Sequence, residues 1–343
     1  MKFAKKVLDS MERVYATSYT VIKKEIVPLF ASEAVNGSCY AYIKGEKKVV
    51  WEGRGGTMSL VEIANKNGDF LATTGFYPGF DAHLSKVVYV SYKNEKFHIR
   101  DVISLPYLHR FDCIYSGSKY YFVGATLCKS KSSREDWSNP GDVYVGEFNS
   151  DFTEVLNLRV LIPNLTKNHG YHRFKDDKGI YSFITSEDGV FKINIPNETN
   201  KEFSYDKISD KPTSDIAVID IDRDSNLEYL TISPFHGNKL SISRLVNNKL
   251  EEIYERKIET DFIHAIASGV INKERVFVVG ARRFDKDLFI LTYNSLTKTF
   301  EEERIDQNTG PSNVTVINYP DKDVILSANN GIGEVAVYTY LDE

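Results

Sequence analysis

Six of the seven histidines in this sequence stand at turns, beside residues that could share chemistry with them: His83 in GFYPGFDAHLSK, His109 in LHRF, His169 and His172 in NHGYHRF, His236 in SPFHGNK and His264 in DFIHAIAS. An imidazole gives and takes protons near neutral pH, and its neutral nitrogen is also a ligand for Zn, Mn, Fe or Ni. Arg110 and Arg173 each follow a histidine directly, and a guanidinium can grip a carboxylate through two parallel hydrogen bonds. These residue types suit proton abstraction beside a carboxylate: imidazole or phenol moves the proton, arginine holds the acid, and a metal polarises it. The expected catalytic or transition-metal set is His109, His172, His236 and His264, with His83 and His169 as alternates and Tyr77 and Tyr171 as proton donors. Arg110, Arg173 and Arg282, with His83 and Trp137, form the expected substrate-binding set. No HExxH, CxxC, GxSxG, P-loop or dinucleotide fingerprint stands in a convincing context, which removes zinc protease, serine hydrolase, NTPase and dehydrogenase readings.

The elements that must carry these residues are strands. Runs such as TMSLVEIA, YYFVGATL, IAVIDI, EYLTIS and KLSISRL alternate apolar and polar side chains with a period of two, and turn formers separate them. Laid under one another, the runs form units at 13–53, 57–105, 107–165, 169–212, 213–262, 263–310 and 311–343. Four strands per 40- to 50-residue unit is the pattern of a β-propeller. The expected fold is all-β, a single domain over 1–343 with seven four-stranded blades; six or eight would require the boundaries to move by several residues. The last unit lacks its outermost strand, and the N-terminal KFAKKVLD either supplies it and closes the ring or forms a short helix. In a propeller the connections between blades and those between the second and third strands share one face, so His83, His109, His169, His172, His236 and His264 map to one rim, with His98 on an outer strand.

The turn DIDRDSNLE, residues 220–228, resembles the acidic loop of the FG-GAP/VCBS repeats of integrin-type propellers. The resemblance implies calcium held by Asp220, Asp222, Asp224, the Asn226 carbonyl and Glu228, because alternate spacing lets successive oxygens converge on a hard cation. Ser225 stands where the family has glycine, and NKNGD at 65–69 is a degraded echo. A vestigial turn without an ion is the competing reading.

Composition narrows the setting. The chain is 42% hydrophobic with a formal charge of −5 and no run of basic residues, so it can bury a core but offers no stripe for neutralising phosphates. Nucleic acid is not an expected partner, nor is a membrane, since no long apolar window occurs. Without a leader-like N-terminus the expected location is the cytoplasm. Cys39, Cys113 and Cys128 form no metal-type pair and read as packed thiols.

The expectation for function is therefore a carbohydrate-active enzyme, a lyase, dehydratase or epimerase acting on a uronate-like or other anionic sugar, with Mn or Zn in a His/Arg-rich funnel and structural calcium elsewhere. The architecture is similar to that of propeller-type polysaccharide lyases, among them oligogalacturonate lyases with a His-rich metal centre, and of aldos-2-ulose dehydratases; the similarity is one of fold. Two other classes stay open: a non-catalytic module that binds a glycan or peptide, and a scaffold in which each His-Arg pair only bonds neighbouring backbone. The oligomeric state has no signature in the sequence.

Overall fold

The alternating runs become strands throughout. The computed structural model describes residues 1–341, which form 28 strands in seven four-stranded antiparallel sheets, and no described residue is helical. The chain is a seven-bladed β-propeller. Its blades occupy residues 14–51, 60–104, 108–165, 170–209, 215–255, 263–306 and 313–341, the last completed from the N-terminus. Within each blade the strands are called A to D in chain order, A innermost; in blade 7 strand D is the N-terminal one.

That strand is Lys2–Ser10, which pairs antiparallel with Glu334–Leu341 so that Lys2 lies opposite Leu341 and Phe3 opposite Tyr340. KFAKKVLD is thus a strand, and the helical option is excluded. It is an edge strand with a mixed burial pattern. The Phe3 ring packs edge-on against Tyr340 at 5.9 Å, and Lys5 bridges Asp306 (3.0 Å) and Glu334 (2.7 Å).

By contacts the chain divides into two compact units, residues 1–14, 185–191 and 207–343 (the first unit) and residues 15–184 and 192–206 (the second). In the first, Leu230, Ile232, Leu240 and Ile242 of blade 5 pack on Phe277, Val279 and Phe289 of blade 6. In the second, Leu71 and Val87 of blade 2 pack with Phe111 and Phe122 of blade 3 and with Phe152. Each such fully buried side chain contributes roughly 1.5–3 kcal/mol, and these contacts hold the sheets as rigid supports for their connecting loops.

The N-terminal strand covers one edge of blade 7, so deleting residues 1–10 should lower the melting temperature by about 5 °C or more, and a peptide of that sequence added in trans should restore part of it. An unchanged melting temperature would show that the strand closes nothing.

Candidate functional site

In blade 6, pairing between strand A (Ile263–Ile271) and strand B (Glu274–Ala281) slips between Ile263 and Ala265. His264 is the residue at the slip. It is 3% exposed, and its Nδ1 lies 2.7 Å from the Ser312 carbonyl oxygen. A carbonyl only accepts, so Nδ1 carries the hydrogen, and in the neutral ring the lone pair sits on Nε2.

His236 comes from the connection between strands B and C of blade 5. The chain turns there through Pro234, through His236 itself at φ 48°, and through Gly237, where a Cβ would lie 2.3 Å from the Ser233 carbonyl oxygen. The His236 amide donates to Ser214 Oγ at 3.1 Å. Its ring stacks on Phe235 (4.0 Å between centroids) and lies 4.7 Å from Phe262 and 5.1 Å from His264. His236 and His264 each offer a ring nitrogen within 4.8 Å of the other's. Arg282, at the end of strand B of blade 6, lies over the Phe262 ring at 5.4 Å and donates to Asn330 Oδ1, while Asn330 Nδ2 donates to the Val14 carbonyl at 2.9 Å. Two imidazoles, a guanidinium and two phenyl rings are thereby assembled within the first unit.

The second unit repeats the histidine device in blade 3. The register slips between Leu108 and Arg110, and His109, 2% exposed, places Nδ1 3.1 Å from the His169 carbonyl oxygen. Its ring lies against His169 (4.3 Å) and Phe76 (5.2 Å). His172, half-buried on strand A of blade 4 (Gly170–Asp176), alternates with Tyr171 and Arg173, which share the opposite side of the strand. Tyr171 donates to Asp112 Oδ2 at 2.7 Å and pairs with Ser182 Oγ at 2.8 Å; Arg173 Nη1 reaches Asp112 Oδ1 at 3.3 Å. Burial, and then the Asp112 charge, push the Tyr171 phenol well above its ordinary 10.0, so Tyr171 can donate a hydrogen bond but is no base at neutral pH. Asp112 also raises the Arg173 guanidinium, and burial raises the Glu62 carboxyl against the opposing pull of Arg173. Arg110 Nη1 donates to the Met58 carbonyl at 3.0 Å. Of the three expected carboxylate clamps, Arg173 is thus directed at an internal acid and Arg110 at backbone. Asp112 and Glu62 were not singled out from sequence, although an aspartate inside the otherwise apolar FDCIY was a visible signal.

The remaining expected residues are more peripheral. The Tyr77 amide closes a turn on the Asp81 carbonyl at 2.8 Å, and His83, 63% exposed, sets Nδ1 2.8 Å from Asp81 Oδ1. Trp137 packs edge-on against Phe80 at 5.3 Å, under Lys131 Nζ, 3.3 Å from the ring centre. His98 is exposed on strand D of blade 2 (Lys96–Ser104), as expected.

In the acidic turn, Asp220, Asp222 and Asp224 bring carboxylate oxygens within 4.8 Å of one another, and Ser225 takes the left-handed conformation, φ 72°, that the usual glycine would favour. Glu228 stands apart from this trio: it is fully buried, accepting the Ile221 N–H (2.8 Å) and Arg244 Nε (2.6 Å). Arg244, the cross-strand partner of Glu228, also engages Asp222 and lies 3.6 Å from Asp224. A guanidinium of the protein itself therefore balances much of the charge whose spacing suggests calcium.

No family model and no curated protein matches this chain, so the propeller fold is shown but membership of the FG-GAP/VCBS family is not. Solved structures do match. The extracellular domain assigned to a one component system of B. thetaiotaomicron aligns over 100% of this chain with a TM-score of 0.62 and 10% identity, and this chain spans 40% of that protein's length. The periplasmic gluconolactonase PpgL of Pseudomonas aeruginosa aligns over 92% of both chains with a TM-score of 0.62 and 11% identity. BBS1N, crystallised in complex with ARL6DN, aligns over 100% of this chain and 97% of its own with a TM-score of 0.62 and 9% identity. At such identities the similarity shows the propeller fold.

Replacing Tyr171 with Phe removes a hydrogen bond to a carboxylate, a loss of roughly 2 kcal/mol at neutral pH. The folded phenol has a raised pKa, so this contribution is complete below pH 10.0, its ordinary value, and is lost as pH rises toward the folded one. The melting-temperature gap between wild type and Tyr171→Phe should be open at neutral pH and narrow by about pH 11; a gap constant with pH would contradict the assignment.

Proposed function

We propose that the protein is a carbohydrate-active enzyme that abstracts a proton from a small sugar acid, uronate-like in character, at the His236–His264 pair. The observation that carries this reading is the 2.7 Å approach of His264 Nδ1 to the Ser312 carbonyl: since the carbonyl only accepts, Nδ1 bears the hydrogen and the basic lone pair is assigned to Nε2 of a ring that lies 5.1 Å from a second imidazole. Arg282 holds the substrate carboxylate, and Phe235 and Phe262 face the C–H side of the sugar ring. His264 takes the proton from the carbon next to the carboxylate, and the C–H electron pair becomes an enediolate whose charge lies against Arg282. His236 then supplies a proton, either to the oxygen that leaves from the β-carbon, giving an unsaturated acid, or to the opposite face of the same carbon, giving the epimer. His236 and His264 are also two of the neutral nitrogens that Mn or Zn would bind, an ion that polarises a carboxylate when present. The gluconolactonase among the structural neighbours supports a substrate of sugar-acid size.

A second reading, a non-catalytic module for a glycan or peptide, draws on the Phe80–Trp137 pair capped by Lys131 and on a neighbour solved with a protein partner.

The test is turnover of a panel of uronates, uronate oligomers and aldonates, followed by NMR in D2O for deuterium entry, elimination and epimerisation. His264→Asn keeps an amide donor near the Nδ1 position and removes the base. It and His236→Ala should each lower turnover by at least about 100-fold at a temperature where thermal melts show both variants folded. No turnover of any panel member, or undiminished turnover in both variants, would overturn the reading, and retained glycan binding in both would favour the second one.

A further inference from the structure

Blade 5 has two unlike faces. On strands B (Glu228–Ser233) and C (Lys239–Val246), Leu230, Ile232, Leu240 and Ile242 point to one side and are wholly buried against blade 6. On the other side Thr231 lies opposite Ser241 and Ser233 opposite Lys239, with Ser243 one step further on. Packing between blades ordinarily asks for apolar side chains on both faces. Here Thr231, Ser241 and Ser243 are only 5–7% exposed and line a cleft of about 240 Å³ within the first unit.

The hydroxyls of this face are poorly provided for by the protein. Thr231 Oγ1 and Ser241 Oγ are 3.4 Å apart, beyond the ordinary range for a hydroxyl hydrogen bond. Those of Ser233 and Ser243 bond no protein group among the described residues, and neither is sealed from the cleft. A hydroxyl that opens onto a cleft can both donate to and accept from a polar group that enters it, so this face can meet polar groups inside the cleft. At one side Lys239 Nζ sits 3.0 Å from Glu252, a donor and an acceptor next to each other at the cleft wall. Val190, Pro234 and Leu250 supply apolar surface, and Lys211 adds an ammonium with no carboxylate partner among the described residues.

We propose that this cleft is a binding site for a neutral monosaccharide or a polyol of similar size. Hydroxyls that both donate and accept match the hydroxyls of a sugar, the Lys239–Glu252 pair matches two neighbouring ones, and the apolar residues match its C–H face. The volume equals that of about eight waters, enough for one ring. The cleft shares Ser233 and Pro234 with the connection that carries His236, but neither His236 nor His264 lines it.

The probes are glucose, galactose, mannose, myo-inositol and glycerol, titrated by saturation-transfer NMR against wild type, Thr231→Val/Ser243→Ala, and His264→Asn. We expect saturable binding of at least one probe, weakened at least about 10-fold in the double variant and unchanged in His264→Asn. Thermal melts check that the double variant folds; should it melt early, Ser233→Ala, at a half-buried position, reads the same loss. No saturable binding of any probe would overturn the proposal and leave the cleft as a hydrated seam, as would equal affinity in wild type and a folded double variant.

Discussion

A buried imidazole must place its N–H on an acceptor, and at the start of blade 6 that acceptor is the Ser312 carbonyl, 2.7 Å from His264 Nδ1. The carbonyl is itself fixed, because the Ser312 amide and hydroxyl donate to the Ala328 carbonyl (2.9 and 3.1 Å) and the hydroxyl also reaches that of Val14 (3.0 Å). The bond ties strand A of one blade to the entrance of the next and, by occupying Nδ1, puts the basic lone pair of the neutral ring on Nε2. His109 and the His169 carbonyl repeat the arrangement in blade 3. The histidine at the register slip is therefore a structural latch and a chemically defined imidazole at once, and the scaffold and enzyme readings of these residues do not compete.

The same scaffold sorts the other charged groups. Arg173 with Asp112, and Arg244 with Asp222 and Glu228, are cation–carboxylate sets with one member well buried. Removing the arginine of such a set leaves a buried carboxylate uncompensated, typically a loss of several kcal/mol. Arg282 differs, since its guanidinium donates to an amide oxygen and lies over an aromatic face. That difference makes it, among the arginines first considered, the one suited to an external carboxylate.

The period-two alternation made the blades legible, because the middle strands of most blades are well buried and most turns carry Gly, Asn, Asp or Pro. Lys2–Ser10 could be read two ways since an edge strand buries too little to impose alternation. The candidate site was legible only in part. That His236 and His264 meet follows from a left-handed residue at 236 and a register slip at 264, neither of which residue types announce. Arg244 joins the acids because strand register sets it opposite Glu228, 16 residues away. The hydroxyl face of blade 5 was present in EYLTIS and KLSIS, where Ser and Thr fill positions that ordinary blade packing gives to Val or Ala.

The most direct test is the tautomer itself, read by long-range 1H–15N correlation on 15N-histidine-labelled protein, with His264→Asn to assign the signal. The neutral His264 ring should show a protonated Nδ1 and an unprotonated Nε2 at neutral pH, and His109 the same. An Nε2–H tautomer at His264 would break the bond to Ser312 and remove the base on which the proposed chemistry depends.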